Sequence, residues 1–172
     1  LKKSNPTLAT YASTGEVKIR ITAKGNNLKE AKSYIQPIEK ELTKLTGLKC
    51  FSKNNESLAE VVIKLLLQKK ETIAVAESCT GGGIGSTLTK VSGSSKTFYG
   101  GIIAYNNLIK KELLAVPEIL INKYGAVSYQ VVESMANGVQ KKFKVNWAIA
   151  ISGIAGPKGG TKSKPVGLVN FC

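Results

Sequence analysis

Two candidate nucleophiles, Ser78 and Cys79, stand side by side in the stretch 76-AESCTGGGIGS-86, just before a threonine and three consecutive glycines. Glycine is costly at the start of a helix unless another group must approach the backbone closely. The N–H groups of residues 79–83 at such a helix start would bind a phosphate or an oxyanion. An ordinary strand-to-helix turn, with Ser78 or Thr80 as the helix cap, fits these local residues equally well.

The composition excludes several kinds of active site. The chain has 172 residues and no histidine, and all 11 of its acidic residues are glutamates. A Ser-His-Asp triad and a histidine-based metal site therefore cannot be built from it. The three cysteines are odd in number and widely spaced, so they form neither a disulfide framework nor a zinc-binding pattern. We therefore expect no metal, no cofactor and a reducing cytoplasmic location.

A lysine further along the chain offers an alternative to histidine as a base. If Asn107 caps the helix that begins there, Lys110 is the third helical residue, at the positive end of the helix dipole. An ammonium held there among apolar neighbours has a pKa lowered from ~10.4 towards neutrality, as a lysine general base requires. A solvated surface lysine fits the local pattern too. Tyr105 would orient a Ser78–Lys110 pair, and Cys79 is the weaker nucleophile because its side chain should point elsewhere.

Small and polar residues are concentrated in three loops that follow apolar strands, over 77–83, 105–110 and 152–160. In open α/β sheets, ligands bind where the carboxyl ends of the strands meet the following loops. The three loops therefore predict a site at one edge of a sheet. The third loop, 152-SGIAGPKGG-160, is either a wall of that site or a flexible turn.

The first 50 residues predict a small α+β unit. Alternating apolar and basic residues over 17–24 indicate a half-buried strand. Apolar residues at helical spacing over 28–45 indicate a long helix, which Pro37 should kink or break. The polar segment 51–57 predicts a linker.

The rest of the chain alternates helices with strands. Ser57 and Glu60 predict a capping box at the start of a helix over 58–70. Continuous apolar strands between helices indicate a buried, mostly parallel sheet. The predicted fold is therefore α/β, a three-layer α/β/α sandwich preceded by the small α+β unit. The strands that we predict for it are 72–76, 98–105, 145–152 and 166–171, and its later helices follow the glycines, span 107–116, begin at Pro117, and run from Ser128 to Phe143.

The net charge of +14 at pH 7 raises the question of a nucleic-acid partner. The basic residues are almost all lysine, with Arg20 the only arginine, and they are spread over both halves of the chain. Arginine is the usual choice for bidentate recognition of bases and phosphates, so a solvated basic surface is favoured. The longest apolar run, 61-VVIKLLL-67, is far shorter than the roughly 20 residues that span a bilayer. We expect neither nucleic acid nor membrane as a partner.

Five separated motifs stand in order along the chain: AESCTGG, 105-YNN..K-110, 125-GAVS-128, 152-SGIAGPKGG-160 and 164-KPVG-167. They resemble the C-terminal domain of the CinA family, which is the nicotinamide-nucleotide amidase domain of competence/damage-inducible proteins. The first residues resemble the KH-like unit that precedes this domain. The resemblance divides the chain into a KH-like unit (1–50), a linker (51–57) and an amidase domain (58–172).

The resemblance implies hydrolysis of the carboxamide of nicotinamide mononucleotide to nicotinate mononucleotide and ammonia, without a metal. It assigns the nucleophile to Ser78, the base to Lys110 and the family's tyrosine to Tyr105. It also implies a small-molecule nucleotide as substrate and a homodimer. Candidate substrate-binding residues are the polar groups and glycines of the three loops, namely Glu77, Thr80, Gly81, Gly82, Asn107, Ser152, Gly153 and Gly156.

The sequence departs from the family pattern in places. Lys158 stands where the family usually has an acidic residue, and Asn106 replaces a common serine. Family members continue past the position of Cys172 with a helix and with arginines that help to bind substrate, so we expect a chain truncated at its C-terminus. A nucleotide-binding or regulatory module without chemistry is therefore the alternative function. Nucleic-acid binding by the KH-like unit, which has no GXXG loop, ranks last.

Overall fold

The computed structural model describes residues 4–172. The chain divides into two compact units between Asn54 and Asn55, inside the segment 51–57 that the sequence predicts as a linker. In the described part of the chain, no helix is both long enough and apolar enough to cross a membrane.

The first unit consists of a β-hairpin and one long helix. Strand β1 (Thr7–Ser13) pairs antiparallel with β2 (Glu16–Thr22), and helix α1 (Leu28–Thr46) is followed by a 3₁₀ turn at Gly47–Lys49. β2 is the strand that the sequence predicts. β1 is missing from the prediction because its residues, TLATYAS, include few large apolar side chains, and its backbone pairing with β2 decides its conformation.

Two expectations about this unit need correction. The sequence predicts a half-buried strand, but five of the seven residues of β2 are exposed. A two-stranded sheet and one helix bury little of each other's surface. α1 continues through Pro37 as a single helix, so the proline does not break it. Proline removes one backbone hydrogen bond, and the other turns of a 19-residue helix, capped by Asn27, remain.

The second unit contains a four-stranded sheet. In chain order its elements are α2 (Leu58–Lys69), β3 (Ile73–Glu77), α3 (Gly83–Thr89), a 3₁₀ turn (Ser94–Lys96), β4 (Phe98–Ile103), α4 (Asn107–Leu114), α5 (Glu118–Tyr124), α6 (Tyr129–Phe143), β5 (Trp147–Gly153) and β6 (Val169–Phe171). The strand order is β4-β3-β5-β6. β3 is parallel to both of its neighbours, and β6 is antiparallel to β5.

Helices cover both faces of this sheet because the buried central strand β3 directs alternate side chains to opposite faces. Ile73 and Val75 pack with residues of α2 and α3 on one face. Ala74 and Ala76 pack with residues of α4, α5 and α6 on the other. The three-layer α/β/α sandwich with a mostly parallel sheet is therefore confirmed.

Helix starts in this unit agree with the sequence at some places and differ at others. The capping box at the start of α2 is present, with the predicted serine and glutamate. α4 is capped by Asn106 rather than Asn107, so Lys110 is the fourth and not the third helical residue. The N-cap residue of α3 is Gly82, which has no side chain, so neither of the two candidate caps from the sequence, Ser78 and Thr80, caps this helix. The predicted strand over 166–171 is shorter and forms only at Val169–Phe171.

Candidate active site

The register of the sheet determines the neighbours of Ser78. Glu77, the last residue of β3, pairs with residues at the ends of both β4 and β5. The ladder then continues for one step, because the N–H of Ser78 donates to the carbonyl of Ile151 at 3.0 Å and the N–H of Ala104 donates to the carbonyl of Glu77 at 2.7 Å. Ser78 therefore lies at the carboxyl edge of the sheet, between the ends of two parallel strands.

Helix α4 brings a buried lysine to this edge. Only 1% of Lys110 is exposed, and Ser78 is 6% exposed. The Nζ of Lys110 donates to the Oγ of Ser78 at 3.2 Å, to the carbonyl of Ala104 at 2.7 Å and to the carbonyl of Tyr105 at 3.1 Å. The ammonium thus has three acceptors for its three N–H groups.

The same geometry also suits a neutral amine. Two N–H groups of a neutral Lys110 can still donate to the two carbonyls, and the nitrogen lone pair can accept the hydroxyl proton of Ser78. Burial disfavours the ammonium and lowers the pKa of Lys110, against a smaller opposing effect of Cys79. The site therefore holds a lysine amine beside a serine hydroxyl, as proton abstraction from the serine requires.

The carboxylate of Glu77 occupies the start of α3. One oxygen accepts from the N–H groups of Gly82 and Ile84, both at 3.1 Å, and the other accepts from the N–H of Gly85 at 2.8 Å. Burial would raise the pKa of Glu77, but hydrogen bonds from the Thr80 side chain and from these amides lower it. The N–H groups of residues 79–83 are therefore not all available to bind a phosphate or an oxyanion, because the carboxylate of Glu77 already accepts from that of Gly82.

Two amides of the turn remain available. The N–H of Gly81 donates to the carbonyl of Ser78, and the N–H of Gly83 donates to that of Thr80. Within residues 4–172, the N–H groups of Cys79 and Thr80 have no acceptor. They directly follow the candidate nucleophile in sequence.

The thiol of Cys79 packs towards the end of β5. A Cβ placed on Gly153 would lie 3.1 Å from the sulfur and 2.8 Å from the carbonyl of Leu168. Glycine at position 153 therefore permits the close approach of three chain segments. It is Ser78, not Cys79, whose side chain accepts from the lysine amine.

Two predicted residues have exposed side chains that form no hydrogen bond with Ser78 or Lys110 among the described residues. The side chain of Tyr105 is 75% exposed, and within the described chain its phenol makes no hydrogen bond, whereas its backbone carbonyl binds Lys110. Asn107 is exposed in the first turn of α4. The side chain that caps this helix belongs to Asn106, whose Oδ1 accepts from the N–H of Leu108 at 2.8 Å.

The third predicted loop contributes a buried serine and a glycine-rich segment. Ser152 is 1% exposed, and its hydroxyl donates to the carbonyl of Ala126 at 3.0 Å, so it joins β5 to the turn before α6. The backbone of Gly156 packs against Val166, and a Cβ on this glycine would meet that side chain at 2.5 Å. Among residues 4–172, no cluster of three or more cysteine or glutamate residues could hold a metal ion.

Sequence reasoning missed the backbone part of the site. The carbonyls of Ala104 and Tyr105 hold the lysine amine, and main-chain acceptors have no sequence signature. It also missed Lys164, whose Nζ donates to the carbonyls of Tyr124 and Val127. Its place in the KPVG motif was the available signal, but the motif alone assigns it no partner.

Comparison with known families agrees with the two units. The family model described as "CinA C-terminal domain" matches residues 55–172. The chain belongs to the CinA family. A second model, described as "Damage-inducible protein CinA KH domain", matches residues 1–52.

CinA-family relatives are similar over the whole chain. A "CinA-like protein" of Prochlorococcus marinus (strain NATL1A) is 72% identical over 172 residues, which are 100% of this chain and 40% of that protein. A "CinA-like protein" of Synechococcus sp. (strain RCC307) is 52% identical over 171 residues, which are 99% of this chain and 41% of that protein. The chain therefore spans about two fifths of the length of the curated relatives it matches.

Solved structures of the CinA superfamily share the fold. The competence/damage inducible protein CihA from Agrobacterium tumefaciens is 40% identical, with a TM-score of 0.65 over 66% of this chain and 69% of that one. A competence-damaged protein (CinA) superfamily protein from Escherichia coli is 32% identical, with a TM-score of 0.64 over 66% of each chain.

Proposed function

We propose that this CinA-family chain is an amidase that hydrolyses the carboxamide of nicotinamide mononucleotide to nicotinate mononucleotide and ammonia. The observation that carries the proposal is the 3.2 Å hydrogen bond between the buried Lys110 Nζ and the Ser78 Oγ in a chain without histidine. A serine and a lysine in hydrogen-bond contact form a nucleophile and its base. The substrate follows from the resemblance of the motifs to the family's amidase domain.

In the proposed reaction, the Oγ of Ser78 attacks the carboxamide carbon while Lys110 takes the hydroxyl proton. The negative charge moves to the carboxamide oxygen, and the free N–H groups of Cys79 and Thr80 supply donors for it. The Lys110 ammonium then protonates the departing amine, and ammonia leaves an acyl ester on Ser78. Water, deprotonated by the neutral Lys110, attacks that ester and releases the carboxylate product.

The substrate groups away from the carboxamide meet the loops around Ser78. We retain the glycines of these loops, Gly81, Gly82, Gly153 and Gly156, as candidate binding residues. Glu77 binds amides of its own turn, and we assign it to positioning rather than to substrate contact. We further propose that the protein acts in the cytoplasm as a homodimer, for which sedimentation of the purified chain is the test.

Ammonia release from nicotinamide mononucleotide tests the proposal. We expect the chain to release ammonia, and expect Ser78→Ala and Lys110→Met each to lower kcat/KM by about 100-fold or more. Ser86→Ala and Lys111→Met are the matched controls, because they alter an exposed serine of α3 and a half-buried lysine of α4 that pairs with Glu118, and should retain activity. Unchanged turnover in either site variant would refute the mechanism. Nucleotide binding by the wild-type chain without ammonia release would instead favour the binding module.

A further inference from the structure

In one turn of the second unit, consecutive backbone carbonyls accept hydrogen bonds from side chains of three different segments. In the 124–127 turn, between α5 and α6, the carbonyls of residues 124 and 127 accept from the Nζ of Lys164 at 2.5 and 2.7 Å. The carbonyl of Gly125 accepts from the hydroxyl of Ser128 at 2.8 Å, and that of Ala126 accepts from the hydroxyl of Ser152 at 3.0 Å. All four consecutive carbonyls therefore have side-chain donors.

These donors connect the turn to the candidate active site. Ser152 follows Ile151, whose carbonyl binds the N–H of Ser78, so the turn is joined to the strand end beside the nucleophile. Lys164 belongs to the glycine-rich loop, residues 154–168, which begins immediately after Gly153 and its contact with Cys79. The turn therefore accepts hydrogen bonds from Ser152, at the strand end beside Ser78, and from Lys164 of the glycine-rich loop.

The glycine-rich loop has further hydrogen bonds at its two ends and within it. At the base, the N–H of Ile154 donates to the carbonyl of Leu168 at 2.9 Å, and the N–H of Gly167 donates to the carbonyl of Ile154 at 2.8 Å. Near the tip, the N–H of Lys164 donates to the Oγ1 of Thr161 at 3.0 Å. The ammonium of Lys164 is the side-chain group that ties this segment to the 124–127 turn.

The absence of a side chain at Gly125 leaves space for the ammonium of Lys164. A Cβ on Gly125 would lie only 2.9 Å from the Nζ of Lys164, so a glycine at this position gives the charged group room to reach two carbonyls. Charge-assisted hydrogen bonds are the strong kind, and two of them on one partly buried group resist loop movement. Exposed lysines of the same loop, such as Lys162, have no such partners among the described residues.

We propose that Lys164 is a positioning residue of the amidase site. Its ammonium fixes the glycine-rich loop against the 124–127 turn, so that the loop forms a rigid wall for the nucleotide beside Ser78. Lys164 does not touch the reacting atoms. The inference rests on the proposed amidase function for its kinetic part, while the fixing of the loop is independent of it.

Substitution of Lys164 separates these two parts. In Lys164→Met we expect hydrogen exchange of the amides in 125–128 and 154–168 to accelerate about tenfold or more, because two charged hydrogen bonds are lost. We expect KM for nicotinamide mononucleotide to rise about tenfold while kcat changes less than about threefold, as loss of a binding wall predicts. Lys164→Arg keeps the donors and should restore most of both properties.

Lys141→Met is the matched control, since it removes an exposed lysine in the last turn of α6, outside the loop and the 124–127 turn, and should leave exchange and KM unchanged. Exchange in Lys164→Met at the wild-type rate would overturn the proposed fixing of the loop. Faster exchange in Lys164→Met with an unchanged KM would overturn the proposal that the fixed loop forms a wall of the substrate site. A wild-type chain without turnover would refute the amidase function instead, and the exchange measurement would still decide whether Lys164 fixes the loop.

Discussion

Glu77 and Lys110, the two ionisable groups beside Ser78, have different hydrogen-bond partners. Glu77 directs its carboxylate to three amides at the start of α3, while Ser78 directs its hydroxyl to the opposite face of the sheet, towards Lys110. Among the described residues, no carboxylate forms an ion pair with Lys110. Its ammonium therefore has only neutral oxygens as hydrogen-bond acceptors, and its burial lowers the pKa.

The lowered pKa of Lys110 predicts a pH-dependent rate. Only the neutral amine can accept the proton of Ser78, so kcat/KM should rise with pH through a pKa below the ordinary lysine value of 10.5. Lys110→Arg should lower kcat/KM by about 100-fold or more at every pH, because a guanidinium stays charged. A pH–rate profile of both proteins measures this. A wild-type profile without an ascending limb below pH 10.5 would contradict the role of Lys110 as base.

The same pKa has a consequence for stability. The unfolded chain binds a proton at Lys110 up to its ordinary pKa, whereas the folded chain releases it at lower pH. Stability should therefore rise with pH between the two values, as linkage requires. In Lys110→Met this contribution should be lost, and urea unfolding across that window, with Lys111→Met as the control, would detect it. Equal pH dependence in the two variants would contradict burial of the ammonium.

Glu77 has the opposite linkage. Its pKa is lowered below 4.5 in the folded chain, so its stabilising effect is present above that pH and is lost as the carboxylate becomes protonated at lower pH. We expect Glu77→Gln to reduce the free energy of unfolding by about 2 kcal/mol at pH 7, since charged hydrogen bonds from three amides at the start of α3 are lost. The difference from wild type should shrink below pH 4.5. Glu112→Gln, which alters an exposed glutamate, should be neutral, and a pH-independent deficit in Glu77→Gln would argue against this account.

At the scale of elements, the position of α4 decides whether the lysine reaches the serine. The C-terminal end of α4 packs directly on the backbone of α6, because a Cβ placed on Gly138 would lie 2.0 Å from the carbonyl of Leu114. At that distance the two helices must separate if residue 138 carries any side chain. α4 also carries Lys110, so the helix contact and the site are mechanically linked.

Gly138→Ala tests this link. In an unconstrained helix the change would stabilise the protein by about 1 kcal/mol. Here we expect a loss of about 1–3 kcal/mol from overpacking, together with reduced kcat/KM as α4 moves. Asn137→Ala on the exposed side of α6 is the control, and should be neutral or slightly stabilising. Thermal unfolding and the ammonia assay measure both effects, and a stabilised, fully active Gly138→Ala would contradict the close packing.

At the scale of the molecule, the two units differ in how much they bury. α1 has no buried residue, whereas α6 buries five residues against the sheet. Amides protected only by solvent-exposed hydrogen bonds open at low free energy, and those of a packed core approach the free energy of global unfolding. The first unit should therefore exchange faster than the second in the intact chain.

Hydrogen exchange of the whole protein checks this difference. We expect the amides of α1 to exchange at least about tenfold faster than those of α6 and β3. The α2 helix, which contributes Ile63 and Leu66 to the core, is an internal reference that should follow α6. Protection of α1 equal to that of α6 would show that the first unit has cover that the exposed fractions of its side chains do not indicate.

The sequence by itself determined the features that depend on neighbouring residues. Apolar strands alternating with helices specified the three-layer sandwich, and Ser57 with Glu60 specified a helix start. The absence of histidine and aspartate, together with Ser78 and an unusually placed Lys110, specified the candidate pair. The periodicity and capping signals act within a few positions of the chain, and the missing residue types follow directly from the composition.

Only the tertiary structure decided the contacts between distant segments. Parallel register places Ser78 beside Ala104, and α4 then brings Lys110 to it across 32 residues. It also decided that Glu77 accepts from the N–H of Gly82, one of the amides expected to bind a ligand. The exposure of Tyr105 and the contact of Lys164 with a turn about 40 residues earlier were likewise decided by the tertiary structure. Such contacts depend on strand register and helix placement. Both are set by the packing of the whole unit, so no local sequence pattern predicts them.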